Sequence, residues 1–151
     1  MQDILPTEIR FMGTHPMFGP DSAGKGVTGF PIVVCPQRVP GIDAAFWTAR
    51  FEEWGLRVLT MGPDEHDHQV AFTQGVTHFI GRVLGDLDLQ LHPLSTLGFR
   101  KMLEVIEQTC NDPWQLFVDL QKLNPYTEEM RKRLRDSFMR IVMELEDSRY
   151  T

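Results

Sequence analysis

The chain changes character at Gly62-Pro63, and this change limits its fold more than any other feature. Upstream, short apolar runs alternate with glycine and proline. Ile9 to Met12, Phe30 to Cys35 and Leu56 to Met61 predict three strands. Pro36 to Gly41 closes the second strand, and Gly62-Pro63 stops the third. Between these two strands, Ala44 to Trp54 has helical spacing, with Asp43 as N-cap and Gly55 as the stop. Downstream, every periodic segment is helical. Asp64-Glu65 opens a long helix expected to reach Leu89, with the apolar stripe Phe72, Val76, Phe79, Val83 and Leu87. His92-Pro93 breaks it. Ser95 or Thr96 starts a helix running to Thr109. Asn111-Asp112-Pro113 starts another, Trp114 to Leu123, with proline in the first turn. Asn124-Pro125 interrupts again, and Thr127-Glu128-Glu129 opens a last helix to Asp147. Three strands leave poorly protected edges. The pattern therefore reads as an α+β fragment: residues 1–62 are the far end of a larger sheet, and residues 63–151 form an all-α domain.

With 151 residues the chain can bury about two-thirds of its unfolded surface. A net charge of −6 argues against nucleic acid as a partner. It leaves small anions open, because a local field can oppose the net charge. Cys35 and Cys110 form no spacing pattern and read as reduced thiols of a cytoplasmic protein. No apolar run approaches the ~20 residues of a membrane span. Met1 to Pro6 has neither a basic region nor an apolar core, so no secretory signal is expected there.

The stretch Thr14-His15-Pro16-Met17-Phe18-Gly19-Pro20 puts a histidine at the end of the first predicted strand, where a Pro/Gly-rich loop begins. Ligands of open α/β sheets bind outside the carboxyl ends of strands, and a neutral imidazole there can accept a proton. On the long helix, Gln74, His78 and Arg82 recur at i, i+4 and i+8 and share a face, with Thr77 beside them. Gly98-Phe99-Arg100, near a helix start, offers a guanidinium fork for a carboxylate. Plainer readings stand beside these. His15 serves only its loop, His78 and Arg82 form a solvated face, or Arg100 pairs with Glu104. The residues alone support a small anionic ligand between the sheet edge and the helices.

Three patterns invite misreading. Gly24-Lys25-Gly26-Val27-Thr28-Gly29 matches G-x-G-x-x-G, but a β-branched strand follows it, where the dinucleotide fingerprint needs a helix N-terminus. Asp64-Glu65-His66-Asp67-His68 looks metal-binding, yet no second cluster accompanies it. It reads as an acidic helix N-terminus favoured by the macrodipole, and no metal is expected. Met139, Val142, Met143 and Leu145 form either a packing surface or a dimer contact.

Taken in order, several segments resemble the prephenate/arogenate dehydrogenase family, the TyrA-type enzymes. They are Thr14 to Ser22, Glu65-His66-Asp67, Thr77 to Leu84, Gly98-Phe99-Arg100 and Asn111-Asp112-Pro113-Trp114. The resemblance implies the last strands of a Rossmann-like NAD- or NADP-binding domain followed by an all-α helical dimerisation domain. The G-x-G-x-x-G unit that holds most of the cofactor and the family's assisting serine have no counterpart here. The implied reaction is oxidative decarboxylation. Hydride leaves C4 of the cyclohexadienol ring for the nicotinamide, the C4 hydroxyl becomes a carbonyl, and the ring carboxylate departs as CO2. His15 matches the catalytic histidine, Arg100 the carboxylate-binding arginine, and Thr77 and His78 the helix positions that face substrate. Asp21 and Lys25 belong to the loop that would gate the pocket. Some members carry a further histidine one turn after His78, where this chain has Gly81, which leaves the choice between prephenate and arogenate open.

The expectation is thus part of a prephenate or arogenate dehydrogenase, inactive alone, homodimeric through its helices, cytoplasmic, and without nucleic-acid or membrane partners. The alternative is a stand-alone helical module that binds an aromatic acid and regulates a partner subunit. A third reading is another Rossmann-type dehydrogenase with a helical C-terminal domain.

Overall fold

The structure, a computed structural model, describes residues 4–147. It has two compact units, Met1–His66 and Asp67–Thr151. In the first, β1 (Phe11–Pro16), β2 (Pro31–Arg38) and β3 (Arg57–Thr60) form one sheet in the order β1-β2-β3. β1 runs antiparallel to β2, and β3 parallel to it. A parallel pair needs a crossover, and α2 (Gly41–Glu53) supplies it. β2 is central, so Ile32, Val33, Val34 and Cys35 are all buried, as the unbroken apolar run requires. Ile32 and Val34 pack with Phe51 of α2 and with Leu56 in the core cluster.

The boundaries depart from the sequence reading in ways that matter for the site. β1 starts later and extends through Pro16, so His15 lies inside a strand rather than at the mouth of a loop. β2 continues past Pro36 to Arg38. The register jumps there: Met12 faces Pro36 and Phe11 faces Arg38, so Gln37 is the extra residue of a bulge. Such a bulge lets a residue without an N–H remain in the ladder. α2 starts at Gly41 with Pro40 as N-cap, so Asp43 is an acid of its first turn rather than the cap. Asp43 instead accepts a hydrogen bond from Arg10 at 3.2 Å.

Gly55 stops α2 as expected. Its φ of +81° is the left-handed conformation of a C′ residue, and its carbonyl accepts from Gly29 N at 2.7 Å. The glycine-rich loop holds one short helix, α1 (Pro20–Ala23), and then enters β2, so no helix N-terminus follows Gly24 to Gly29.

A continuous helix opens as α3 (Pro63–Val70), whose first four residues belong to the first unit, passes through a π-helical turn at Ala71–Gly75, and becomes α4 (Val76–Gly85). It ends at Gly85, short of Leu89, and Asp88 then takes a φ of +47°. α5 (Leu97–Asn111) starts with Thr96 as N-cap, whose side chain accepts from Phe99 N at 3.2 Å. α6 (Trp114–Lys122) follows Pro113, and α7 is Thr127–Glu146.

The π-turn redirects the long helix. One extra residue per turn rotates the downstream faces, so the buried residues are Val70, Ala71, Gly75, His78 and Gly81. Of the expected apolar stripe, Val83 and Leu87 are exposed. Small residues on the inner face let neighbouring helices come close. At Gly81 an added Cβ would lie 3.0 Å from Thr109 Cβ, and at Gly85 2.8 Å from Cys110 Sγ. The Gly75 carbonyl accepts from Gln121 Nε2 at 2.8 Å, tying α6 to the π-turn. Among the described residues, no helix is long and apolar enough to cross a membrane.

Candidate functional site

In the first unit, chemistry converges on His15. It pairs in register with Val33, and residues paired across a ladder share a sheet face. Ile32 and Val34 point to the opposite face, where α2 packs, so His15 stands on the face away from α2. The chain leaves β3, turns at Gly62-Pro63 and enters α3, whose first turns return a second imidazole. His15 Nδ1 lies 2.8 Å from His66 Nε2, with the two rings edge to face at 5.1 Å. Both rings are partly buried. The plain reading of His15 as a loop histidine therefore does not hold: its partner is a helix residue 51 positions away. Nor is the acidic helix start only a macrodipole device. Asp64 and Glu65 do occupy its first turn, but His66 beside them joins His15. No group of three or more metal-ligating side chains occurs among the described residues.

In the second unit, Thr77, His78 and Arg82 have separate fates. Thr77 is exposed and donates to Thr73 O at 2.9 Å along its own helix. His78 is only 6% exposed. Its Nδ1 sits 3.7 Å from Asp112 Oδ2, beyond hydrogen-bond range. Arg82 donates to Asp112 O and lies over the rings of Trp114 and Phe117, at 5.5 and 5.8 Å. The segment Asn111-Asp112-Pro113-Trp114 therefore acts as a bracket around α4, and Arg82 is no solvated residue.

Gln74 Oε1, His78 Nδ1 and Arg82 Nε are all buried without a hydrogen-bond partner among the described residues. An unmade buried hydrogen bond costs about 1–3 kcal/mol. Three on one helix mark a polar strip able to take up water or ligand atoms. The strip mixes an acceptor, an imidazole and a guanidinium, which suits an oxygen-rich anion.

Arg100 is exposed, one turn into α5. Among the described residues it makes no ion pair with Glu104 and no side-chain hydrogen bond, so its fork is available to solvent. Lys25 is likewise exposed, in the loop after α1. The backbone of Asp21 belongs to α1, but its side chain lies outside the described residues. Gly81, at the position of the further histidine, faces Thr109 of α5. Helix packing takes the space a side chain would need there. Sequence reasoning assigned no role to His66, although it stood in the acidic cluster and in the Glu65-His66-Asp67 segment of the resemblance.

His78 has a distinctive titration. Burial holds its pKa below the ordinary histidine value of 6.5; the nearby Asp112 carboxylate opposes this, and Arg82 adds to it. A lowered histidine pKa means that the unfolded chain binds the proton more readily. The resulting stability is present above about pH 6.5 and is lost as pH falls toward the folded value. Urea midpoints of the native chain are expected to drop between about pH 7.5 and about pH 5.5. His78→Gln, which cannot titrate, should flatten that drop. An unchanged slope in the variant would show that other groups set it.

Comparison with known proteins matches the family profile "TYRAAT1-like, C-terminal domain" to residues 83–150. Arogenate dehydrogenase 2, chloroplastic, of Arabidopsis thaliana is 35% identical over 148 residues, covering 93% of this chain and 41% of that protein. The T-protein of Enterobacter agglomerans is 32% identical over 118 residues, covering 72% of this chain and 30% of that protein. Two solved structures share the fold at a TM-score of 0.63 each: Synechocystis arogenate dehydrogenase, at 17% identity, and prephenate dehydrogenase from A. aeolicus in complex with hydroxyphenyl propionate and NAD+, at 21%. They cover 93% and 97% of this chain and 56% of each solved chain. The chain thus spans less than half the length of the curated relatives it matches.

Proposed function

We propose, starting from the fact that this chain belongs to the prephenate/arogenate dehydrogenase family, that it supplies the proton acceptor and the substrate-binding helices of an NAD(P)-dependent oxidative decarboxylation. The observation that carries the reading is His15. It is an imidazole held on a strand by a second imidazole at 2.8 Å, at the position that matches the family's catalytic histidine. Loss of hydride from C4 makes the C4 hydroxyl proton acidic. An acceptor already in place binds that transition state more strongly than the ground state. The exposed fork of Arg100 suits a carboxylate on the substrate. Thr77 offers a hydroxyl on the same helix as His78 and the unpartnered polar strip.

The described residues do not fit the pyrophosphate of a nicotinamide dinucleotide. The glycine turn at Gly24 to Gly29 leads into β2 instead of a helix N-terminus. On this reading NAD or NADP is held mainly by residues outside these 151, and the chain alone does not turn over. Asp21 and Lys25 belong to the segment between β1 and β2, which the reading assigns to gating. A cytoplasmic site of action, without nucleic-acid or membrane partners, completes it.

The reading also includes a homodimer made through the helices. On α7, Met139, Met143 and Leu145 are 49, 65 and 81% exposed, while Val142 of the same stripe is half-buried. Exposed apolar residues gathered on one helix mark an interaction face. A solution mass of one chain at micromolar concentration would remove that part.

The deciding experiment joins this chain to the nucleotide-binding portion of the Arabidopsis arogenate dehydrogenase, in place of the matched segment. Turnover is followed by nicotinamide absorbance with prephenate and with arogenate. The chimera is expected to reduce the cofactor with one of the two, and Arg100→Ala to raise KM for it. A folded chimera that turns over neither substrate, beside an isolated chain that binds an aromatic acid without nucleotide, would favour the regulatory module instead.

A further inference from the structure

We infer that His66 is the positioning residue of His15: it accepts the His15 Nδ1–H and so fixes the tautomer in which His15 Nε2 carries the lone pair. The inference rests on His15 being the proton acceptor proposed above. The contact of 2.8 Å between His15 Nδ1 and His66 Nε2 holds a single hydrogen. Two arrangements are available. If His66 Nε2–H donates, the proton of neutral His15 sits on Nε2, and that nitrogen can only donate to a substrate hydroxyl. If His15 Nδ1–H donates, Nε2 is basic and can take the hydroxyl proton. Only the second arrangement is compatible with proton acceptance. Which ring nitrogen reacts is set by the hydrogen bond the other one makes.

The fold makes this pairing durable. His15 sits in a paired strand, opposite Val33 of the most buried strand in the sheet. His66 sits in α3, and its N–H is bound to Gly62 O at 3.0 Å. Both backbones are therefore fixed by hydrogen-bonded structure. The short Met61-Gly62 connection leads from β3 into α3. When His15 takes up a proton at Nε2 it becomes an imidazolium, and its Nδ1–H bond to a neutral acceptor becomes charge-assisted and stronger. Through this step His66 keeps accepting the same hydrogen and does not receive the transferred proton.

The test reads the tautomer directly on the native chain. Two-bond proton–nitrogen correlation spectra of the 15N-labelled protein at about pH 8, where an ordinary imidazole is neutral, distinguish Nδ1–H from Nε2–H for each of its five histidines. His15 is expected as the Nδ1–H form. His66→Phe keeps a ring but removes the acceptor, and His15 should move toward the Nε2–H form that free histidine side chains favour. His66→Gln, whose Oε1 can occupy the place of Nε2, should restore the Nδ1–H form. Finding His15 as Nε2–H in the native chain overturns the inference, and so does an unchanged His15 in folded His66→Phe. If His66→Phe does not fold, the native tautomer still decides.

In the chimeric enzyme, His66→Phe should lower kcat about 10²-fold with KM unchanged, and His66→Gln should recover it. A tautomer switch without loss of kcat also overturns the inference. A chimera without any turnover instead removes the dehydrogenase reading, and the spectra then still report whether His66 sets the tautomer.

Discussion

Replacing His15 by asparagine in the chimeric dehydrogenase should lower kcat by about 10²- to 10⁴-fold while leaving KM nearly unchanged. Asparagine can place a polar atom near Nδ1 and keep a contact with His66, but it has no lone pair basic enough to take a proton. The loss therefore isolates proton acceptance from packing. His15 lies on the sheet face away from the Ile32, Val34, Phe51 and Leu56 cluster, so the substitution leaves that core untouched. Stability should change little, and urea midpoints measured alongside the kinetics check that. The signature of a general base would also disappear: the acidic limb of the kcat/KM profile, set by a protonatable acceptor, should flatten in the variant. A variant that retains kcat within about threefold, far inside the range of a lost general base, would mean that another group accepts the proton. His15 would then be left as a partner of His66 alone.

The second large effect is on stability. Gly81→Ala should destabilise the chain by about 1–3 kcal/mol. In an isolated helix the same change would stabilise, by about 1 kcal/mol, so the sign is the test. The added methyl would overlap Thr109 Oγ1 and lie 3.0 and 3.1 Å from Thr109 Cβ and Cγ2. Thr109 is fully buried, and its hydroxyl is bound to Val105 O at 2.8 Å and Ile106 O at 3.2 Å, so it cannot swing aside without losing both bonds. The helices must separate, and the Arg82–Asp112 contact next to the crossing would stretch with them. Thr109→Ala in the Gly81→Ala background should recover part of the loss, since Cβ remains and only Oγ1 and Cγ2 are removed. A double-mutant cycle in chemical denaturation measures that coupling. Stabilisation by Gly81→Ala alone would show that α4 and α5 are not in close contact at this point in solution.

This contact also bears on specificity. The family resemblance sets Gly81 where some members carry a further histidine, and in this chain helix packing fills that space. On the proposed function, discrimination between a keto and an amino substrate then falls to other residues. The buried strip of Gln74, His78 and Arg82 is the nearest set with unmade hydrogen bonds on the same helix.

Much of the architecture was legible residue by residue. Thr96 could be read as the cap of α5 because a hydroxyl before an apolar-periodic run satisfies a local N–H. Pro113 and Gly55 could be read as a start and a stop because proline fixes φ near its helical value and glycine readily takes a positive φ. The β-branched run from Phe30 to Cys35 could be read as a strand, and the structure adds that it is buried on both faces. The misreadings share a different origin. Asp43 looked like a cap because its side chain is right for one, but Pro40 precedes it with the φ that starts the helix earlier. Pro36 looked like the end of β2, yet a bulge in its pairing with β1 kept it in the sheet.

The sequence by itself determined where helices and strands begin and end, to within a few residues. Those properties depend on dihedral preference and on hydrogen bonds between near neighbours. It also carried the family resemblance, because ordered motifs survive without knowledge of their geometry. Only the tertiary structure decided which face of the long helix is buried. One π-turn rotates that face, and its Gly75 carbonyl is satisfied by Gln121, 46 residues away. In the same way, only the tertiary structure separated His66 from its acidic neighbours and set it against His15. A contact across 51 residues depends on how the turn after β3 aims a helix, and no local periodicity encodes that direction.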